Sequence, residues 1–202
     1  MKKPVLHVTG PHVVIARDDI DTDALYPAEF LTVTTRAGMR EYLFADWVRN
    51  RNPEANFAAQ GQPVPIVVAG RNFGCGSSRE HAVWALADYG VQAIVAVSFG
   101  DIFRNNCVKN KILAAQISPQ HHERLVQLLH ASGSAPTLSL DVATATLSLS
   151  TGETLPFTLA AGHAEQLMDA HDEIDRTLRH ATALAQYEAR LAHTMPWLTS
   201  AP

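Results

Sequence analysis

The chain has 202 residues, enough to bury a core of its own in one large domain. Hydrophobic residues make up 47% and charged residues 18%, with 11 Gly and 11 Pro, which excludes wholesale disorder and collagen-like repeats. A net charge of −4 leaves no broad basic field for a phosphate backbone, and two cysteines, Cys75 and Cys107, can build neither a disulfide framework nor a four-thiolate metal site. Residues 1–4 (MKKP) run straight into alternating apolar positions without the apolar stretch of a secretion signal. No run approaches the ~20 apolar residues of a membrane span, so the expectation is a soluble cytoplasmic protein.

In chain order, residues 5–8 and 12–16 read as short strands around a Gly10-Pro11 turn. An acidic loop follows at residues 18–23 (DDIDTD). Pro27 then opens a stretch with helical spacing at Phe30 and Leu31, and a second helix is predicted over 39–48. Residues 50–63 are polar and turn-rich, an expected exposed loop. The apolar run 65–69 (PIVVA) enters the Gly-rich turn 70–76, which is expected to open a helix from Ser77 to about Tyr89. Residues 93–97 (AIVAV) form another buried strand, with helix over 99–108. Past Ser118 a helix at 121–131 precedes alternating strands at 137–140, 146–149 and 154–159, with a hairpin turn at Thr151-Gly152-Glu153. Helical segments are predicted from 164 and over 173–191. Strands alternating with helices imply an α/β domain with a mixed sheet and helical cover.

The strongest chemical feature is Gly74-Cys75-Gly76-Ser77-Ser78-Arg79-Glu80-His81. Glycines after a strand let the backbone turn tightly, and free N–H groups at a helix N-terminus attract an anion. Arg79 adds a planar fork suited to a carboxylate. Ser77 with Glu80 also satisfies the capping-box rule, which needs no function. Basic charge in a first helical turn opposes the macrodipole, which tips the reading toward a bound anion. Spacing alone does not choose a reaction. For Arg36 the unaided reading is a solvated helix-end arginine, and for Asn105 and Asn106 polar residues near a helix end. For Asp21, Thr22 and Asp23 it is an Asx-turn and N-cap. His81 falls inside the helix and reads as structural. Cys75 reads as a small apolar residue rather than a nucleophile, and the ten histidines show no metal spacing.

Asp21-Thr22-Asp23, the Gly74–His81 motif and residues 98–106 (SFGDIFRNN), in that order, resemble the swivel domain of the aconitase superfamily. Within it the chain resembles the family of 3-isopropylmalate dehydratase small subunits. Residues 21–31, 43–47, 71–82 and 87–90 extend the likeness, as do Ile174, Thr177-Leu178 and Tyr187-Glu188. The resemblance implies a β/β/α three-layer swivel domain spanning 1–202, with a core to about 160 and a helical segment over about 161–195. It implies a hydro-lyase of leucine biosynthesis, in which a hydroxyl moves between adjacent carbons by dehydration and rehydration. Ser77 is then the base, and Ser78 and Arg79 hold substrate carboxylate. Arg36 is a second substrate arginine, Asn105 and Asn106 line the pocket, and Asp21 and Thr22 belong to the site. The family's 4Fe–4S cluster needs three cysteine ligands, so it is expected on a larger partner subunit, without which the chain is inactive.

Two departures bear on substrate. Residues 48–63 form a shorter loop than in many of these subunits, and the family's Gly-Leu-Leu-Pro-Ile stands here as Lys111-Ile112-Leu113-Ala114-Ala115. A paralogous hydro-lyase acting on a methylmalate/citraconate or homoaconitate-type acid is therefore the alternative enzyme. A non-catalytic assembly module of the same fold is the alternative from another class.

Overall fold

The computed structural model describes residues 4–131, 136–170 and 173–198. Residues Pro4–Met168 cluster as one compact unit, and the residues from Asp169 onward group separately. The unit to Met168 is built on a parallel sheet, ordered β2 (His12–Ile15), β3 (Ile66–Ala69), β4 (Ala93–Ala96) and β5 (Leu113–Gln116). Side chains along these strands alternate between two cores. Val67, Ala69, Ile94, Ala96 and Ala114 face one cluster, while Ile66, Val68, Ala93, Val95, Leu113 and Ala115 face the other. That period of two, buried on both faces, is why these strands read as continuous apolar runs.

On the first face lie α1 (Thr22–Leu25), α2 (Ala45–Arg49), α3 (Asn56–Gln60), α4 (Glu80–Tyr89) and α5 (Asp101–Lys109), contributing Leu25, Phe57, Ala82, Leu86 and Cys107. On the second lies an antiparallel sheet ordered β1 (His7–Gly10), β6 (Leu138–Asp141), β7 (Thr146–Leu149) and β8 (Thr154–Pro156), with α6 (Pro119–Ala131) and α7 (His163–Met168). Leu138, Leu140, Leu147 and Leu149 are its inward positions, each 4% exposed or less. The result is three layers, β/β/α. The named strands pair parallel in one sheet and antiparallel in the other, and an antiparallel bridge from Gln116 at the end of β5 to Thr158 adds to the first. Consecutive strands β1 and β2 belong to different sheets, because Pro11 between them has no N–H to continue a ladder.

Three local expectations change. The helix expected over 39–48 is a 3-10 turn at Met39–Tyr42 followed by α2, separated by Phe44 in the left-handed region (φ 53°). Phe44 is fully buried between Trp47 and Phe57, so packing holds a backbone that local preference disfavours. The region 50–63 is no simple exposed loop. It carries a 3-10 turn at Pro53–Ala55 and α3, and it buries Ala55 and Phe57. Tyr89 on α4 donates its hydroxyl toward the carbonyls of Phe57 and Gln62, tying the region to the core. Finally, α7 closes the compact unit, and the C-terminal segment begins at Asp169. That segment holds α8 (Glu173–Leu178) and α9 (Ala181–Thr194), two helices where one was expected over 173–191, with His180 as the cap between them.

Candidate active site

The loops after β2, β3 and β4 converge at the carboxyl ends of the parallel strands, where α/β sheets place their ligands. Residues 18–22 run beside residues 71–75 as a continuation of the sheet. Asp21 bridges Cys75 and Phe73 bridges Phe99, both in parallel sense. The Gly74 N–H donates to the Ile20 carbonyl at 2.7 Å and the Thr22 N–H to the Cys75 carbonyl at 2.9 Å. Gly74 sits at φ +72°, and a Cβ there would fall inside the Phe103 ring. Gly76 is at φ +84°. Both demand the conformational freedom of glycine.

This frame fixes the serine loop. Thr22 Oγ1 donates to the Ser77 carbonyl at 2.8 Å, and the Arg79 N–H donates to the same oxygen at 2.8 Å. The peptide after Ser77 is thus held from two sides, while the Ser77 and Ser78 side chains stay exposed. The same bonds correct one expectation. Residues 77–79 are not helical: α4 begins at Glu80, its N-cap is Arg79 in extended conformation (φ −111°, ψ 106°), and no side chain caps it. The Ser77–Glu80 capping box does not form, because Ser77 is turned back onto the acidic loop. Ser77 therefore lies ahead of the helix rather than at its N-cap.

The acidic motif divides its labour. Asp21 caps α1 by accepting from the Ala24 N–H at 2.7 Å. Asp23 accepts from the Ala28 N–H at 2.9 Å and pairs with Arg79 Nη1. The Tyr26 carbonyl lies 3.4 Å from the same nitrogen. Both contacts use Nη1, which leaves the Nη2 and Nε donors of a side chain only 17% exposed to meet a ligand. Partial burial pushes the Cys75 thiol up, and the Asp21 and Asp19 carboxylates push it further, so at neutral pH it is no thiolate.

Arg36 is exposed and lies outside any helix, just before the 3-10 turn at Met39–Tyr42, yet it is not without a partner. Its guanidinium carbon sits 4.4 Å above the centre of the Trp84 ring on α4, a contact worth about 0.5–2 kcal/mol. The turn that carries it is fastened by Asp88, whose Oδ2 accepts from the N–H groups of Gly38 and Arg40, each at 3.0 Å. Between the two arginines lies a row of rings: Tyr26 to His81 at 5.7 Å and His81 to Trp84 at 5.0 Å. His81 is thus a packing residue within this row.

The asparagine pair is drawn elsewhere. Asn105 Oδ1 accepts from His163 Nε2 on α7 at 3.1 Å, and buried Asn106 receives the Asn110 N–H on its carbonyl. The structure brings together Asp21, Thr22, Ser77, Ser78 and Arg79, and sets Arg36 on the same helix through Trp84. Sequence reasoning passed over Asp23 as the partner of Arg79, and Trp84 and Asp88 as the holders of Arg36. Positions 81, 84 and 88 share one face of α4 by the i, i+3, i+7 rule, and that stripe was the available signal.

A three-layer domain with an arginine-flanked serine loop at the open ends of its parallel strands defines a class, and residues 2–120 match the family model described as the aconitase C-terminal domain. The chain is 37% identical over 203 residues to the 3-isopropylmalate dehydratase small subunit of Chloroflexus aggregans, covering 98% of each. It is 41% identical over 179 residues to that of Methylobacterium radiotolerans, covering 86% of this chain and 89% of the relative. A crystal structure of 3-isopropylmalate dehydratase from Methanocaldococcus jannaschii shares the fold, with a TM-score of 0.68 at 22% identity, over 90% of this chain and 99% of that one. The chain belongs to the aconitase family, among its 3-isopropylmalate dehydratase small subunits.

Proposed function

We propose that this chain supplies the base and the carboxylate grip for interconverting 2-isopropylmalate and 3-isopropylmalate through 2-isopropylmaleate, as the small half of a cytoplasmic complex in leucine biosynthesis. The observation that carries the reading is the pinned serine loop: two exposed hydroxyls on a fixed peptide beside an arginine with donors to spare.

Ser77 Oγ takes the proton from the carbon beside a carboxylate, and hydroxide leaves from the adjacent carbon to give the alkene. Readdition in the opposite sense moves the hydroxyl. A serine is a poor base unless its alkoxide is stabilised, and the Arg79 cation supplies that field. Arg79 Nη2 and Nε, with the Ser78 hydroxyl, grip the carboxylate whose α-proton is removed and receive the charge that develops on it. Arg36 meets the second carboxylate. Asp21 and Thr22 act by holding the loop, and the family resemblance assigns Asn105 and Asn106 to the pocket lining, although Asn105 is bonded to His163 here.

A cluster needing three thiolates does not fit this chain, which has two cysteines. Cys107 is buried among apolar side chains, and among the described residues no three His, Cys, Asp or Glu side chains converge. The 4Fe–4S cluster therefore belongs, on this reading, to the large subunit.

The test is Ser77→Ala in the complex reconstituted anaerobically with the large subunit, followed at the absorbance of the unsaturated acid. Turnover is expected to fall at least ~10³-fold with assembly unchanged. Wild-type turnover in Ser77→Ala would remove the base assignment. A preference for citraconate, 2-methylmalate or homoaconitate in the same assay would move the substrate while keeping the roles.

A further inference from the structure

We propose that Trp84 and Asp88 are positioning residues for the second substrate arginine, Arg36, so that α4 sets both arginines of the site in one rigid frame. The inference rests on the reading of Arg36 as a carboxylate-binding residue.

Arg36 comes from a segment without regular structure, just before the 3-10 turn at Met39–Tyr42. A long side chain on such a segment samples many rotamers, and ordering it on binding weakens affinity. Two contacts remove that freedom. The Asp88 carboxylate collects the Gly38 and Arg40 N–H groups on one oxygen, fixing the backbone two and four residues beyond Arg36. The Trp84 ring then takes the guanidinium on its face at 4.4 Å. The Trp84 indole Nε1 is buried without a hydrogen-bond partner among the described residues. What this side chain offers its surroundings is therefore its ring face rather than its donor.

Stacking suits a binding arginine because it consumes none of the five N–H donors in the guanidinium plane, which remain available to a carboxylate. An ion pair in the same place would have occupied them. Trp84 and Asp88 lie four residues apart on one face of α4, and the helix begins directly after Arg79. Position 84 lies about 6 Å along the helix axis from Glu80, the residue that follows Arg79. One short helix thus fixes the spacing of two cationic forks against a ligand with two carboxylates.

The experiment is a mutant cycle in the reconstituted two-subunit enzyme with 3-isopropylmalate, reading KM and kcat separately. Arg36→Ala and Trp84→Leu are each expected to raise KM on the order of tenfold, with a much smaller change in kcat. Trp84→Phe, which keeps a ring face, is expected to recover most of the loss. In the Arg36→Ala background, Trp84→Leu should add nothing further, because the residue it positions is gone. Losses that multiply in the double variant would show that Trp84 acts independently and would overturn the proposal. So would a wild-type KM for Trp84→Leu beside a raised KM for Arg36→Ala. A wild-type KM for Arg36→Ala would instead remove the underlying reading, and the inference with it. Should Trp84→Leu fail to assemble, Asp88→Ser is read in its place by the same criteria.

Discussion

Cys75 lies two residues before the proposed base, in a loop whose neighbours would make a reactive thiol easy to imagine. Burial and the carboxylates of Asp21 and Asp19 act against that, raising its pKa in that order of importance. Cys107 is buried in the core, and desolvation pushes its thiol up further still. At pH 7.5, iodoacetamide is therefore expected to alkylate Cys75 at least several-fold more slowly than an unstructured cysteine peptide, and Cys107 only after denaturation. Mass spectrometry of timed samples checks both, and rapid labelling of Cys75 in the folded chain would contradict the electrostatic reading. Arg79 shows the complementary case. Its pairing with half-exposed Asp23 adds little stability, since pairs of this kind are worth about 0–1 kcal/mol. Its consequence is orientation, because it commits one nitrogen and leaves the rest of the fork directed by the fold.

Among the elements, the Gly-rich turn is where backbone and packing requirements meet. Gly74 and Gly76 both have positive φ, but only Gly74 is pressed against a ring, that of Phe103. Phe103 in turn packs edge-on to Phe73 at 5.5 Å and is 3% exposed, so it has little room to yield. Gly74→Ala is expected to destabilise the chain by about 2–4 kcal/mol, and Gly76→Ala by about 1–2 kcal/mol. Urea unfolding of the two variants should show that order, and equal losses would mean that Phe103 is free to move. Helix α4 carries two faces of different kinds. Ala82, Val83, Ala85 and Leu86 are fully buried against the parallel sheet, while His81, Trp84 and Asp88 face the Arg36 turn. The first face is a familiar amphipathic stripe. The second consists of residues that local rules treat as surface, and its use becomes apparent only once the 36–42 segment is laid across it.

For the molecule as a whole, buried His163 and half-buried His12 link folding to pH. Burial lowers the pKa of His163, with a further push from Arg104, and burial lowers that of His12 against the opposing effect of a Pro136 hydrogen bond. Each is held neutral in the fold, so below the ordinary value of 6.5 the unfolded chain binds more protons than the folded one. Stability is then fully present above about pH 7, and falls as the pH drops through 6.5 toward the lowered folded values. Thermal melts between pH 8 and 5 should be flat and then decline, and His163→Gln should remove part of the decline. A melting temperature rising on acidification through that window would reverse the sign and refute the account.

The sequence by itself determined β2, β3 and β4 of the parallel sheet, though not β5, together with the serine loop and its Asp-Thr-Asp partner motif. Buried strands leave unbroken apolar runs, and turns that need positive φ leave glycines, so both are written locally. It also determined the order of motifs on which the family resemblance stood. Only the tertiary structure decided that β1 and β2 part into different sheets, that Ala55 and Phe57 make an anchor of a polar stretch, and that α4 starts after Arg79. The same holds for the Asp23–Arg79 pair and the seat of Arg36 on Trp84. These join residues 48 to 56 positions apart along the chain, and no local preference records such a contact, because its energy exists only once the layers have packed and brought the partners into reach.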